Sequence, residues 1–278
     1  MNIRSLINRG AEILTKSSES PRLDSNILLS FVLKTDRAKI LANYEDHPTQ
    51  GEIDLFFSYI DKRSKGYPVA YILGEKEFYG YTFYIEDGVL TPRPDTEILV
   101  ETALNLIDKH NLKSCVDMCT GTGCIALSIK LENPDIDVTA TDISPIAERV
   151  FKKNCLKLTN NSVKFIHSDL FTNLTNKKFD IIVTNPPYLT KDETDERVDD
   201  GWKEPTLALD GGVDGLDLIR DIIEESTSYL NPGGFLIIEA ASAQMSEMKI
   251  EMSKNSFKSI NIFKDLAGMD RIIVGRYE

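Results

Sequence analysis

From Ser114 onward the chain alternates short, β-branched apolar runs with longer amphipathic stretches, and this alternation restricts its fold more than any other feature. Apolar runs at 114–118, 138–141, 163–167, 181–184 and 234–239 have the length of buried strands. Helical spacing falls between or after them, near 123–131, 146–158, 216–230 and 243–253. Strands that take turns with helices pair parallel, because a parallel neighbour is reached only through a crossover long enough to hold a helix. The last two runs, 257–263 and 271–277, have no room for one and should form an antiparallel hairpin at an edge. The expected fold is α/β, a seven-stranded, mostly parallel, Rossmann-like sheet covered on both faces. Such sheets bind ligands beyond the carboxyl ends of their strands.

The residues ahead of this region follow other rules. Residues 1–72 read as a small helical domain. Ile3, Leu6, Ile7, Ile13 and Leu14 trace one face, and Ser20-Pro21 opens a second helix carrying Leu23, Ile27, Leu28 and Phe31. Thr49 and Glu52 have the form of a capping box ahead of Ile53, Phe56, Phe57 and Ile60. No catalytic signature lies here, so the domain is read as a stabilising or docking module. Residues 73–90, with aromatics on both sides of Tyr79-Gly80, read as a β-hairpin linker, which leaves 91–278 for the sheet domain. A net charge of −12 over 278 residues argues against an affinity built on neutralising phosphates. Four cysteines, three of them at 115–124, match neither a disulfide framework nor a zinc spacing, so no metal is expected. No apolar run is long enough to span a bilayer and no apolar signal core opens the chain, so we expect a cytoplasmic protein.

Cys115 to Ala126 is a strand, a glycine turn and the start of a helix, an arrangement that lets a ligand approach both backbone and helix N-terminus. The turn contributes Asp117, Thr120, Gly121, Thr122 and Gly123 to a cofactor site. Asp142, followed by Ile143, ends the second strand, where a carboxylate can accept from ribose hydroxyls. Asp169, followed by Leu170, ends the third and can accept from an adenine amino group or simply cap a turn. Gly121-x-Gly123-x-x-Ala126 also meets the dinucleotide fingerprint, so on this turn alone an NAD-dependent oxidoreductase stays open. Asp117 tilts the choice, since a carboxylate there attracts an ammonium or sulfonium and repels a pyrophosphate.

Asn185-Pro186-Pro187-Tyr188 closes the fourth strand. The prolines stiffen the turn and remove donors, leaving the Asn185 amide oxygen and the Pro186 carbonyl as acceptors beside the Tyr188 ring. Two acceptors and a flat face suit a planar NH2 group, which hydride transfer does not call for. Upstream, Pro92 and Pro94 bracket Arg93, and Asp95 or Thr96 can cap a helix that includes Glu97. Residues 190–203, rich in Asp and Glu, have the length of a mobile lid or a solvated loop.

Pro68 to Gly74, Phe78 to Phe83, Pro92-Arg93-Pro94-Asp95-Thr96-Glu97, the glycine turn, the Asn185 tetrapeptide and Glu204 to Leu216 together resemble the class I S-adenosylmethionine-dependent methyltransferases. Within that class the chain is similar to the release factor glutamine methyltransferase family. The resemblance implies S-adenosyl-L-methionine as cofactor and class 1 peptide chain release factors as protein partners, methylated on the glutamine amide of a Gly-Gly-Gln motif. It implies Asn185, Pro186 and Tyr188 as catalytic residues, Asn185 also touching the cofactor, with Pro187, Arg93 and Glu97 completing the substrate site. The tetrapeptide alone is shared with adenine and cytosine amino-methyltransferases of nucleic acids. The acidic charge and the absence of a basic stripe favour a protein-modifying enzyme over one that binds nucleic acid, and a monomer with no membrane partner is expected. Cys119 stands where the family's turn often has its first glycine.

Overall fold

The structure, a computed structural model, describes residues 1–175 and 177–278. They form two compact units, Met1–Glu75 with Arg197–Glu204, and Lys76–Glu196 with Pro205–Glu278.

The first unit holds α1 (Ile3–Leu14), α2 (Pro21–Val32), α3 (Arg37–Ala42), α4 (Gln50–Ser64) and α5 (Val69–Leu73) around Leu6, Ile7, Leu28, Leu29, Phe56 and Ile60. The Thr49–Glu52 capping box starts α4. Gly10 lets α1 approach its neighbours, since a Cβ there would lie 2.5 Å from Ser25 Oγ and 2.8 Å from the Phe56 ring. The inner face of α2 differs from the expected one: Leu23 and Phe31 are exposed, and Asp24, Ser25, Leu28, Leu29 and Val32 turn inward. Polar contacts set this rotation. Ser25 Oγ donates to the Ile7 carbonyl at 3.0 Å, and Arg63 Nε lies 2.6 Å from Asp24 Oδ2.

The second unit opens with a hairpin, β1 (Glu75–Phe78) and β2 (Tyr81–Tyr84), turned at Tyr79 and Gly80 with φ of 51° and 77°. Then follow α6 (Glu97–His110), β3 (Ser114–Met118), α7 (Cys124–Glu132), β4 (Asp137–Asp142), α8 (Pro145–Thr159), β5 (Lys164–His167) and β6 (Phe179–Thr184). The chain ends with α9 (Lys191–Asp199), α10 (Asp217–Tyr229), β7 (Leu230–Glu239), α11 (Met245–Lys254), β8 (Phe257–Lys264) and β9 (Asp270–Tyr277). The seven strands from β3 to β9 make one sheet in the order β5-β4-β3-β6-β7-β9-β8. All pairs are parallel except β7 with β9 and β9 with β8. Val116, Met118, Ile182, Leu236 and Ile238 share one core cluster with α10 and α11, and strand alternation turns Asp117 to the other face, where α7 packs. After β5 the chain crosses to the opposite side of β3, so the ends of β3, β4 and β6 flank a topological switch point.

Residues 190–203 are not an open loop. Thr190 and Glu193 exchange hydrogen bonds as a capping box, Thr190 N donating to Glu193 Oε2 at 2.8 Å, and α9 follows. No helix among the described residues is long and apolar enough to cross a membrane.

Candidate active site

A cleft opens at the switch point, lined by Gly121, Asp142, Ile143, Asp169, Leu170 and Asn185 among others. Pro187, Pro205, Leu207, Ala208 and the 88–90 segment complete its wall. Asp142 Oδ2 accepts from Gly121 N and its Oδ1 from Ser144 N, both at 2.8 Å, which clips the end of β4 to the turn after β3. Burial raises the Asp142 carboxyl above its ordinary value, against these bonds. Gly121 has φ 55°, and a Cβ there would meet nothing within 4 Å, so its missing side chain is open space. At Gly123 (φ 83°) the reason for glycine is packing, because a Cβ would sit 2.6 Å from the Phe151 ring.

Asp117, Thr120, Thr122 and Gly123 are buried off the cleft wall and hold the turn from behind. Asp117 Oδ2 accepts from the Thr120 hydroxyl and from Ala126 N at 3.1 Å, and the Thr122 carbonyl accepts from Asn154 Nδ2 at 2.9 Å. Asp117 Oδ1 is buried without a hydrogen-bond partner among the described residues. Burial, with a smaller contribution from Asp142, pushes this carboxyl up to about 7. A cation brought against Oδ1 would reverse that shift. Cys119, with φ 55°, lines the cleft as a free thiol that its enclosure pushes up.

Asn185 Nδ2 donates to Thr96 Oγ1 at 3.2 Å, and Thr96 lies beside Glu239, the last residue of β7. An amide whose nitrogen is spent on Thr96 has its oxygen to offer. Pro186 is buried and Tyr188 half-buried, with Arg271 within electrostatic reach of its hydroxyl. Burial, then the charge of Glu239, raises the Tyr188 hydroxyl. Arg93 lies within electrostatic reach of Tyr188 and Glu239. Glu97 instead accepts from Tyr79 N at 2.9 Å, tying α6 to the hairpin. Among the described residues no cluster of His, Cys, Asp or Glu could hold a metal ion.

The chain is 40% identical to the release factor glutamine methyltransferase of Clostridium acetobutylicum, over 99% of this chain and 98% of that one. It belongs to the release factor glutamine methyltransferase family. A second member, from Coxiella burnetii, is 35% identical over 99% of both chains. Residues 5–74 match the family's PrmC N-terminal domain and residues 93–201 the methyltransferase small domain. At the level of fold, a ribosomal protein L11 methylase from Lactobacillus delbrueckii superposes with a TM-score of 0.51 at 21% identity, covering 70% of this chain and 84% of that one. The chain is thus a methyltransferase with a Rossmann-like sheet.

Sequence reasoning overlooked Glu239, Gln244 and Arg271, and took Thr96 only as a possible helix cap. Gln244 Nε2 donates to the Tyr188 carbonyl at 2.9 Å and to the Asp214 carbonyl at 3.2 Å, holding the tetrapeptide against the 204–216 segment. An isolated Glu or Gln at a strand end gives no local signal. Only the pairing of Thr184 with Ile238, which sets Glu239 beside Asn185, reveals these residues.

Proposed function

We propose that this chain methylates the side-chain amide nitrogen of the glutamine in the Gly-Gly-Gln motif of class 1 peptide chain release factors, with S-adenosyl-L-methionine as cofactor. The observation that carries the reading is the Asn185 amide, held by Thr96 at the wall of the cleft that Gly121 and Asp142 also line. When bound, S-adenosylmethionine supplies an electrophilic methyl group on a sulfonium. Asp142 would hold its ribose, Gly121 its amino-acid portion, and Asp169 with the apolar Ile143 and Leu170 its adenine; Asp117, behind the turn, would act on the ammonium through its charge and not by lining the cleft.

An amide nitrogen is a weak nucleophile because its lone pair is delocalised into the carbonyl. The residues of the site therefore orient it. Asn185 Oδ1 and the Pro186 carbonyl each accept one N–H, which fixes the nitrogen's face and stabilises the positive charge that grows on it. Correct alignment contributes roughly 7–11 kcal/mol. Tyr188 and Pro187 would wall the glutamine stem, with the charges of Arg271 and Arg93 within reach of the Tyr188 hydroxyl; Glu97 serves by holding the hairpin to α6. We assign the helical unit to substrate docking, and the whole to a monomer acting in the cytoplasm.

The test is methyl transfer from labelled S-adenosylmethionine to a release factor, to the same protein with the motif glutamine changed to glutamate, and to duplex DNA. Label should map to the glutamine alone. Label on adenine or cytosine, with none on the glutamine, overturns the assignment.

A further inference from the structure

Three residues from distant parts of the second unit meet beside the reacting site: Asn185 after β6 donates to Thr96 at the start of α6, and Glu239 from β7 lies next to Thr96. Glu239 and Thr96 are buried, and one carboxylate oxygen, Oε2, has no hydrogen-bond partner among the described residues. A threonine hydroxyl has a single proton. If that proton goes to Glu239, the Thr96 oxygen can only accept from Asn185, which forces the amide nitrogen toward Thr96 and leaves the amide oxygen for the cleft.

We propose that Thr96 and Glu239 are positioning residues whose hydrogen-bond chain fixes the polarity of the Asn185 amide, so that the cleft presents an acceptor and not a donor to the substrate's NH2 group. This rests on the reading that Asn185 accepts from the glutamine amide. The polarity depends on the charge of Glu239. As a carboxylate it must accept from Thr96. Once protonated it can donate to Thr96, whose own proton then turns to the Asn185 oxygen; the amide flips, and two NH2 groups confront each other across the site.

The surroundings of Glu239 put this change near neutrality. Arg271 of β9 and Arg93 ahead of α6 favour the carboxylate, Asp95 opposes it, and Tyr188 after β6 and Cys124 of α7 also face it. Burial outweighs these charges and pushes the carboxyl up to about 7. Wild-type turnover should therefore fall about tenfold per pH unit below roughly 7.

The experiment follows kcat against pH on the release-factor substrate, cofactor affinity by calorimetry, and the 15N side-chain amide resonance of Asn185, assigned by its loss in Asn185→Asp. Glu239→Gln, which cannot ionise, should lose the acid limb and the pH shift of the Asn185 resonance. Thr96→Val should lower kcat about 100-fold at every pH, a size typical of a misplaced reacting group, with cofactor affinity unchanged. Thr96→Ser should restore kcat to within about threefold, because it keeps the hydroxyl. A Glu239→Gln enzyme that keeps the wild-type acid limb, or a Thr96→Val enzyme as active as Thr96→Ser, overturns the proposal. Should the glutamine not be methylated at all, the proposed substrate fails. The resonance still decides the chain: a midpoint near 7 in wild type that vanishes in Glu239→Gln sustains it, and a resonance indifferent to Glu239 refutes it.

Discussion

Alanine substituted separately at Gly123 and Gly121 should divide the glycine turn into a packing position and a binding position. At Gly123 the added Cβ would lie 2.6 Å and 3.0 Å from Phe151 ring atoms and 3.1 Å from Leu127 Cδ1, on a backbone with φ 83°. Phe151 is 1% exposed and packs against Phe165 at 5.1 Å between centroids, so the ring has little room to yield. The left-handed backbone costs an alanine about 1–2 kcal/mol. Overpacking adds about 1–3 kcal/mol, and the stiffer unfolded chain returns about 0.4–1 kcal/mol. A net loss of about 2–3 kcal/mol lowers the melting temperature by roughly 6–10 °C for a protein of this size. At Gly121, with φ 55° and nothing within 4 Å, only the backbone term applies, and it is nearly offset. There the methyl enters the cleft, so S-adenosylmethionine should bind at least about tenfold more weakly. Thermal unfolding and calorimetric titration of both variants decide the matter. A Gly123→Ala protein melting within about 2 °C of wild type, or a Gly121→Ala protein binding cofactor as tightly as wild type, would refute the reasoning.

Asn185→Ala should reduce kcat by at least about 100-fold while cofactor affinity stays within a few-fold, because the lost acceptor faces the substrate amide; loss of cofactor binding in a folded variant would contradict this. Cys119→Gly relieves a left-handed φ of 55°, but the looser unfolded chain nearly offsets that gain as it does at Gly121, so urea unfolding should shift by less than about 0.5 kcal/mol. Glu239 has a folded pKa of about 7, raised from 4.5, so the native state holds its proton more tightly than the unfolded chain. Its contribution favours folding below pH 4.5 and is lost as pH climbs to about 7. Relative to wild type, Glu239→Gln should therefore gain about 3 kcal/mol in unfolding free energy between pH 4 and pH 8. A pH-independent difference would show that the carboxyl titrates normally.

The sheet was legible because its signal is local and repeated: each apolar run and each helical stretch declares itself, and their alternation fixes parallel pairing. Where tertiary contacts set the outcome the reading went astray. Apolar spacing alone put Leu23 and Phe31 inside α2, whereas Ser25 bonded to the Ile7 carbonyl and Asp24 bonded to Arg63 rotate that helix. Residues 190–203 were read from their acidic composition, although Thr190-x-x-Glu193 has the same capping form already recognised at Thr49-x-x-Glu52. At the site, residues inside a motif could be found. Thr96 was seen only as a possible cap, because its bond to Asn185 spans 89 positions of the chain.

The 204–216 segment shows why a long signature can travel with a short one. Two prolines stiffen the Asn185 tetrapeptide from within, yet its exit must also be fixed if the acceptors are to hold their directions. Leu189 N donates to the Leu209 carbonyl at 2.9 Å and Gly211 N to the Leu189 carbonyl at 2.8 Å, laying the segment alongside the strand end. The approach is so close that a Cβ on Gly211 would come 2.8 Å from the Pro187 oxygen, and one on Gly215 2.3 Å from the Tyr188 oxygen. Gln244 then joins the Tyr188 and Asp214 carbonyls from a third element. The glycines at 211 and 215 are therefore the packing complement of the tetrapeptide's backbone, required by its shape and not by contact with a ligand. Both stretches specify one object, the rigid acceptor turn, and so a chain that keeps Asn-Pro-Pro-Tyr but replaces these glycines would have to hold that turn by other means.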